Sequence, residues 1–260
     1  AEDRTAKPLD LFRVEFGGAN TFATVVLGAL LVLVFGLGFW EAMLAMLVGV
    51  LVGGFILMPM ALFGPITGTN NAVSSGAHFG VVGRIVGSFL ALLVAITFFA
   101  ISIYTSGDIL VGALDELIGT GRSDALVAVA YALFAFAILA ICIYGFRFML
   151  QVNKVAVITA TLLYVLGALA YGGDLDTSYA GFAEDDLAFP SFVGGALIAL
   201  SNPLSFGAYL GDWTRYIPAT TSRTRLMAAA FLAQVATVIP FGFGIATATV
   251  IATQAPSAAE

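Results

Sequence analysis

Two clusters of small and polar residues interrupt apolar stretches of the chain, and their chemistry suits the binding of ions and solutes. The clusters are Gly17-Gly18-Ala19-Asn20-Thr21 and Ser201-Asn202-Pro203-Leu204-Ser205. Paired glycines weaken a helix and proline removes a backbone donor, so each cluster predicts a broken helix. Freed carbonyls can coordinate a cation, and the amino ends of half-helices can face an electronegative group. The structural alternative is that the glycines permit close packing and Pro203 only kinks its helix.

Three further side chains have types or spacings that suggest a role in binding. Phe98 and Ser102 lie four residues apart, so both project from one face of a helix. An aromatic ring beside a hydroxyl suits a flat heterocycle, and a packing pair in the core is the alternative. Glu15 lies in an apolar stretch, where a carboxylate is costly and usually functional. Its alternative is a side chain that reaches the cytoplasmic interface.

The remaining reactive residues do not form a catalytic set. Asp212 and Arg215 have the i, i+3 spacing of a helical ion pair, which predicts a local gate or a pair that fixes a loop. The single histidine, His78, has no second metal ligand nearby, and the single cysteine, Cys142, lies within an apolar run. Because catalysis needs acids, bases or nucleophiles at the site, we expect no enzymatic activity, no metal and no cofactor.

Composition places these residues in a membrane. Apolar residues make up 60% of the 260 positions and charged residues 10%, and the mean hydropathy is +1.03. Soluble domains carry about 25% charged residues. The surplus of apolar surface must therefore face lipid, which makes the bilayer a partner and gives no reason to expect nucleic acid.

The apolar stretches predict an all-α helical bundle that crosses the membrane several times. Crossing the hydrocarbon layer takes about 20 apolar residues of helix. Seven stretches meet this length, at residues 14–35, 41–63, 82–104, 125–144, 155–171, 190–210 and 226–251. The polar clusters described above fall in spans one and six.

The basic residues predict the orientation of the spans. With a cytoplasmic amino terminus, nine of the ten Lys and Arg residues fall on the inner side, as the positive-inside bias requires. The inner residues are Arg4, Lys7, Arg13, Arg84, Arg147, Lys154, Arg215, Arg223 and Arg225. The acidic residues expected in outer loops are Glu41, Asp108, Asp115, Glu116, Asp124, Asp174, Asp176, Glu184, Asp185 and Asp186.

Two motifs resemble a known family. Gly64-Pro65-Ile66-Thr67-Gly68, followed by Phe79-Gly80-Val81-Val82-Gly83, is similar to the loop between spans two and three of the nucleobase–cation symporters. The segment Tyr209-Leu210-Gly211-Asp212-Trp213-Thr214-Arg215-Tyr216-Ile217-Pro218 resembles the segment that closes their sixth helix. The family includes permeases for cytosine, purines, uracil, allantoin and hydantoins, and the resemblance covers essentially the whole chain.

The resemblance implies a fold and a domain organisation. Members of the family have twelve helices, built from two inverted repeats of five helices and two additional helices, with broken first and sixth helices. The chain would then be a single transmembrane domain, residues 1–260, that corresponds to the first seven helices. We expect it to be an amino-terminal fragment or a truncated homologue that lacks the eighth helix and does not transport alone.

The resemblance also implies a site near the first break and on span three. Backbone carbonyls around Gly17 and Asn20 would coordinate a cation, and Thr21, or Asn20 through its side chain, would approach the substrate. The family places an aromatic residue, usually Trp, and an amide four residues later on span three. Phe98 and Ser102 occupy these positions here, so a stacking face is kept while the indole donor and the amide are lost.

On span six, the family stacks an aromatic residue on the substrate ring near the break. Phe206, or the turn at Asn202 and Pro203, would take that place in this chain.

These expectations describe a secondary active transporter in the inner plasma membrane. It would carry a nucleobase or related heterocycle together with a cation, with Na⁺ favoured over H⁺ by the carbonyl-rich breaks. A seven-span receptor or another membrane protein without transport is the alternative, suggested by the number of spans alone.

Overall fold

The computed structural model describes residues 4–184 and 186–254. The described residues fall into two compact units, one formed by residues 4–74 with 153–254 and the other by residues 75–152. Asp185 and the carboxyl-terminal residues 255–260, which the predicted topology places on the outer side, lie outside the described residues.

The chain is helical throughout its apolar stretches, which confirms the all-α prediction. The α-helices, in chain order, are α1 Pro8–Ala19, α2 Phe22–Leu33, α3 Phe39–Leu57, α4 Phe63–Thr67, α5 Asn71–Ser74, α6 Gly76–Ile118, α7 Asp124–Tyr144, α8 Phe146–Tyr171, α9 Ala188–Gly207, α10 Leu210–Thr214, α11 Arg223–Val235 and α12 Val238–Gln254. Short 3₁₀ segments at Met58–Leu62 and Gly172–Asp174 follow α3 and α8.

Within the described residues, six helical segments are long and apolar enough to cross a membrane, and α1 with α2 adds a seventh as a bent pair. Span two runs through the 3₁₀ segment to Thr67, and span seven combines α11 and α12. Large apolar side chains are widely exposed on these helices, including Phe79 and Val82 at 72% and 75%. Because water would penalise so much exposed apolar surface, these faces suit lipid. The chain is a multi-pass membrane protein.

The first span is broken as predicted. Helices α1 and α2 meet at an angle of 57° across Asn20 and Thr21. Asn20 leaves the helical conformation with φ −80° and ψ 60°, and Thr21 is extended. Gly17 and Gly18 belong to the last turns of α1, so the break itself follows the paired glycines.

The interruption of the sixth span lies later than the sequence suggested. We predicted a break at residues 201–205, but α9 continues through Pro203 to Gly207 and the chain turns at Ala208 and Tyr209 before α10. Pro203 is buried beside Gly53, where an added side-chain carbon would lie 2.9 Å from the proline ring. Close packing against a residue without a side chain holds the proline inside the helix.

The second unit contains helices longer than predicted. Span three was expected to end near residue 104, but α6 runs 43 residues to Ile118, with one non-helical residue at Gly80. Asp108, Asp115 and Glu116 therefore lie on a helix and not in an outer loop. Asp108 forms an ion pair of 2.8 Å with Arg122, so one of these three acidic residues has a basic partner.

Glycine contacts hold the core of the first unit together. A side-chain carbon on Gly28 of α2 would collide with the carbonyl of Phe241 in α12, and one on Gly244 of α12 would collide with the carbonyl of Val25. Helices α3 and α9 approach in the same way at Gly49. Small residues at membrane helix interfaces allow the backbones this approach.

We predict that Gly244→Ala destabilises the folded protein by about 1–3 kcal/mol, because the added carbon must push α12 away from α2. The matched control is Gly112→Ala on α6, where an added carbon meets nothing within 4 Å. That change should be neutral or stabilising by up to about 1 kcal/mol, since alanine favours helix. Thermal unfolding of both variants in detergent tests the difference, and equal effects would contradict it.

Candidate functional site

The break between α1 and α2 releases backbone carbonyls. The N–H of Thr21 bonds to the carbonyl of Ala19 at 2.9 Å, and the N–H of Thr24 bonds to the carbonyl of Thr21 at 3.1 Å. The carbonyls of Gly17 and Asn20 consequently lose the partners that a continuous helix would give them. These are the two residues whose backbone was expected to coordinate a cation.

The side chain of Asn20 is buried at the break and only partly satisfied. Its Nδ2 donates to the carbonyl of Val157 in α8 at 3.4 Å. Its Oδ1 is buried and has no hydrogen-bond partner within the described chain. A buried amide oxygen without a partner is uncommon, and it marks Asn20 as an acceptor available to a ligand.

Thr21 directly precedes α2 and Thr24 lies in its first turn, and the two side chains have different environments. Thr21 is exposed at the cap position, with no side-chain capping bond. Thr24 is buried, and its hydroxyl donates to the carbonyl of Ala19 at 2.5 Å across the break. Our sequence reasoning missed Thr24, although a hydroxyl placed four residues after a predicted break was a usable signal.

Helix α8 closes the other side of α1. The amide Nδ2 of Asn153 donates to the carbonyl of Arg13 at 2.5 Å. A side-chain carbon on Gly17 would collide with Asn153, so the glycine is needed for this contact. Asn153 was not identified from the sequence, because nothing local shows which helix packs beside the break.

Span six brings an aromatic ring to span one. Phe206 is half-buried and lies against Gly18, where an added side-chain carbon would be 3.2 Å from its ring. On its other side the ring packs against Trp213, with centroids 5.7 Å apart. Phe206 thus lies near the end of α1, and the glycine provides the space. Its place against the substrate stays a prediction.

Asn202 lies one helical turn before Phe206 and is buried. Its backbone carbonyl accepts the hydroxyl of Ser205 at 2.7 Å. Its side-chain Nδ2 is buried without a partner in the described part of the chain. Span six therefore presents an amide donor from the same helical face as the aromatic ring.

Phe98 and Ser102 belong to the second unit. Both lie on the continuous part of α6, which confirms that they share a helical face. Phe98 is exposed, Ser102 is half-buried, and the Ser102 carbonyl accepts the hydroxyl of Thr105 at 3.4 Å. Their place beside the break stays a prediction.

The two motifs behind the family resemblance pack on each other. The side chain of Asn71 donates to the carbonyl of Gly207 at 2.6 Å, and the backbone of Asn71 hydrogen-bonds Asp212. A side-chain carbon on Gly64 would collide with Thr214. The loop after span two therefore covers α10 at the end of span six, and we call residues 64–71 with 207–216 the cap.

Asp212 and Arg215 do not form the predicted ion pair. The guanidinium of Arg215 instead donates to the hydroxyl of Tyr216 at 3.0 Å and lies 4.9 Å from the centre of its ring. The pKa of Asp212 is raised above its ordinary value, because burial outweighs the charge of Arg215 and the bond from the Asn71 backbone, which both lower it. Asp212 is thus hydrogen-bonded to the cap loop, and its interaction with Arg215 is a longer-range electrostatic one.

The amino-terminal segment adds two bonds to the cap. The guanidinium of Arg4 donates to the carbonyl of Pro65 at 3.1 Å, and the N–H of Ala6 donates to the carbonyl of Tyr216 at 3.0 Å. Both partners are backbone groups of the cap.

Glu15 is not at the interface. The hypothesis that it reaches the cytoplasmic surface is wrong, because its side chain is completely buried and accepts a hydrogen bond of 2.9 Å from Nε2 of Gln234 in α11. Packing between α1 and α11 encloses it. Sequence spacing alone gives no sign of this partner, since 219 residues separate the two.

A break in the first span of a multi-pass helical protein is typical of secondary transporters. The family model described as permease for cytosine/purines, uracil, thiamine, allantoin matches residues 1–259. The chain belongs to this family, which points to transport and not to catalysis.

A curated relative supports the assignment. The chain is 24% identical over 224 residues to YxlA of Bacillus subtilis (strain 168), a protein whose name assigns it provisionally to the purine-cytosine permeases. The match covers 86% of this chain and 47% of the relative, so the chain spans about half the relative's length. No solved structure matches the chain significantly.

We predict that Asn71→Ala loosens the cap. Losing a partly buried bond worth about 1–1.5 kcal/mol should speed hydrogen exchange of the Leu210–Thr214 amides by roughly tenfold. Thr69→Ala is the control, because the Thr69 hydroxyl bonds only the Thr67 hydroxyl within its own loop. Exchange measured by mass spectrometry tests this, and unchanged α10 amides in Asn71→Ala would contradict it.

Proposed function

We propose that the protein is a secondary active transporter that carries a nucleobase or a related heterocycle, such as cytosine, a purine, allantoin or a hydantoin, together with a cation. The observation that carries the proposal is the break at Asn20, which frees backbone carbonyls and leaves the buried Asn20 amide oxygen without a partner among the described residues. The ring of Phe206 from span six lies against Gly18, near the end of α1. In lipid, such irregular backbone is tolerated only where protein or a polar cavity surrounds it.

The polar atoms near the break suit the edge of a heterocycle. Asn20 offers a buried acceptor and Asn202 a buried donor, and both lack partners among the described residues. Nucleobases and hydantoins carry N–H donors and carbonyl acceptors side by side on a flat ring. Hydrogen bonds to such groups give specificity, because a ligand without them leaves buried polar atoms unpaired.

Aromatic groups would bind the faces of the ring. Phe206 is half-buried between Gly18 and Trp213, which fixes its position and leaves part of it accessible. By the family resemblance, Phe98 would supply the opposite face and Ser102 a hydroxyl, with Thr21 approaching from the start of α2. Offset stacking of aromatic rings adds about 0.5–1.5 kcal/mol to the free energy of binding.

The carbonyls of Gly17 and Asn20 would bind the coupling cation. Carbonyl oxygens at unwound helix ends are typical ligands of Na⁺ in transporters with broken helices. The cation and the substrate would then both bind near this break. A movement at one break then affects both ligands, which is the physical basis of coupling.

The cap would act at the inner end of this pathway. By the positive-inside bias, the amino terminus would lie in the cytoplasm and the cap on that side of the inner membrane. Asp212 and Arg215 would stabilise the cap separately, Asp212 through Asn71 and Arg215 through Tyr216. Opening toward the cytoplasm would need these bonds to break.

Uptake of a panel of radiolabelled nucleobases and hydantoins into vesicles that contain the encoded full-length protein tests the substrate. We expect saturable uptake of at least one member, with its apparent affinity reduced roughly 10–100-fold by Asn20→Ala or Phe206→Ala, a loss of about 1.4–2.8 kcal/mol. Ser178→Ala is the control, since its exposed side chain bonds Asp176 within the loop after α8. Absence of uptake by inserted, folded protein would reject this substrate class.

A sodium gradient tests the cation. With the substrate that the panel identifies, inward Na⁺ should raise uptake and lower the apparent KM, because each ligand raises the affinity for the other. Choline in place of Na⁺ is the control for ionic strength. Uptake that is unchanged by Na⁺ would contradict the carbonyl site at Gly17 and Asn20.

A further inference from the structure

Two basic side chains from different spans begin at neighbouring points of the first unit. They are Arg13 of α1 and Lys154 of α8, and we call them the basic pair. The amide Nδ2 of Asn153 donates to the carbonyl of Arg13 at 2.5 Å. Because Lys154 directly follows Asn153, the two basic side chains start from helices that are in contact. The positive-inside bias predicts that both lie on the cytoplasmic side.

A second hydrogen bond aligns the two helices. The amide Nδ2 of Asn20 donates to the carbonyl of Val157 at 3.4 Å. Arg13 precedes Asn20 on α1, and Asn153 precedes Val157 on α8, so α1 and α8 run in the same direction. The two bonds therefore place Arg13 and Lys154 at similar depth in the membrane.

Lys154 is exposed on a surface of α8 that suits lipid. Val155 and Ile158, beside it on the helix, are 67% and 62% exposed. No charged residue follows Lys154 until Asp174, so it stands where the uncharged part of the span begins. A lysine near the end of an apolar helix extends its ammonium group toward the interface. This predicts that the ammonium group of Lys154 lies at the level of the lipid phosphates.

Arg13 keeps most of its hydrogen-bonding capacity. Its side chain is 41% exposed, and Nη1 pairs with Oδ1 of Asp10 at 3.4 Å. A partly exposed pair of this kind contributes little to stability, and a guanidinium group carries five N–H donors. The remaining donors suit a phosphate, which accepts two parallel hydrogen bonds from arginine.

Positive charge exceeds negative charge around the basic pair. Helix α8 contains no acidic residue. On α1, Asp10 already bonds Arg13 and the backbone at the start of the helix, while Glu15 is buried against Gln234 of α11. Lys154 takes part in neither of the ion pairs found in residues 4–184 and 186–254. The basic pair therefore offers an anion two cationic groups.

We propose that the basic pair binds the headgroup of an anionic phospholipid, such as phosphatidylglycerol, with the phosphate between Arg13 and Lys154. Arg13 supplies parallel N–H donors and Lys154 a point charge. The exposed Gln151, three residues before Lys154, bonds the glycerol hydroxyls. The acyl chains lie along Val155 and Ile158. A zwitterionic lipid suits the site less, because its own cation competes for the phosphate.

A bound headgroup links α1 to α8, because its phosphate joins one residue of each helix. Helix α1 is the half of span one that ends at the break, so the lipid stabilises the packing of that half against span five. The lipid site depends only on the charges and on the place of these helices in a membrane. It does not rest on the proposed transport function.

Native mass spectrometry of the encoded full-length protein in detergent tests the site with added phosphatidylglycerol or phosphatidylcholine. We expect phosphatidylglycerol to bind about tenfold more tightly. Arg13→Gln and Lys154→Gln should each lower its affinity about fivefold, the effect of one basic residue beside an anionic lipid. Their affinity for phosphatidylcholine should stay unchanged. Equal binding of the two lipids by the wild type would overturn the proposal.

Arg223→Gln is the matched control, because it removes the same charge from an exposed residue on the same predicted side of the membrane. Arg223 begins α11, eleven residues before Gln234, so about 16 Å of helix separate it from the level of Glu15. This variant should bind phosphatidylglycerol as the wild type does. A loss equal to that of Lys154→Gln would show general attraction to a basic surface and would overturn the local site.

Thermal unfolding in detergent gives an independent reading. Phosphatidylglycerol should raise the Tm of the wild type and raise that of Lys154→Gln less, since a ligand stabilises the state that binds it. Without lipid the two proteins should unfold at the same temperature, because the Lys154 side chain is exposed. An equal rise in both proteins, or displacement of the lipid by inorganic phosphate, would overturn the assignment to a lipid.

Discussion

Backbone hydrogen bonding is the constraint on which the rest of this structure depends, because hydrocarbon offers no partner to a free N–H or C=O group. A span can break only where other protein groups surround the loose ends. At the break between α1 and α2, the Thr24 hydroxyl bonds the Ala19 carbonyl and the Asn20 side chain reaches α8. The carbonyls of Gly17 and Asn20 lose their helical partners at the same place. The break thus concentrates unused hydrogen-bonding capacity within span one.

Close helix packing makes that concentration possible. Gly28 and Gly244 bring α2 against α12, and Gly53 brings α3 against the buried Pro203 of α9. These contacts leave no room for a side chain, so the helices that carry the break have few alternative arrangements. Gly18 does the same for Phe206, whose ring lies against α1 because the glycine has no side chain. Glycine therefore has two uses in this fold: it lets helices pack closely, and at Gly18 it makes room for the ring of Phe206.

The polar residues show where inference from sequence was reliable and where it was wrong. The motifs around Gly64 and Asp212 indicated the family, and the structure brings them into contact through Asn71. The spacing of Asp212 and Arg215 suggested an ion pair, yet each side chain takes another partner. Helical spacing shows only that two side chains can meet, whereas the packed chain decides which neighbour each of them binds.

The sequence by itself determined the helical class, the multi-pass character, the presence of a break in the first span and the family. These properties depend on local composition and short motifs, which act over one helix at a time. Only the tertiary structure decided where span six ends, that Glu15 is buried with Gln234, and that Asn153 supports α1. Such facts depend on contacts between residues far apart in the chain, and no local pattern records which helices pack together.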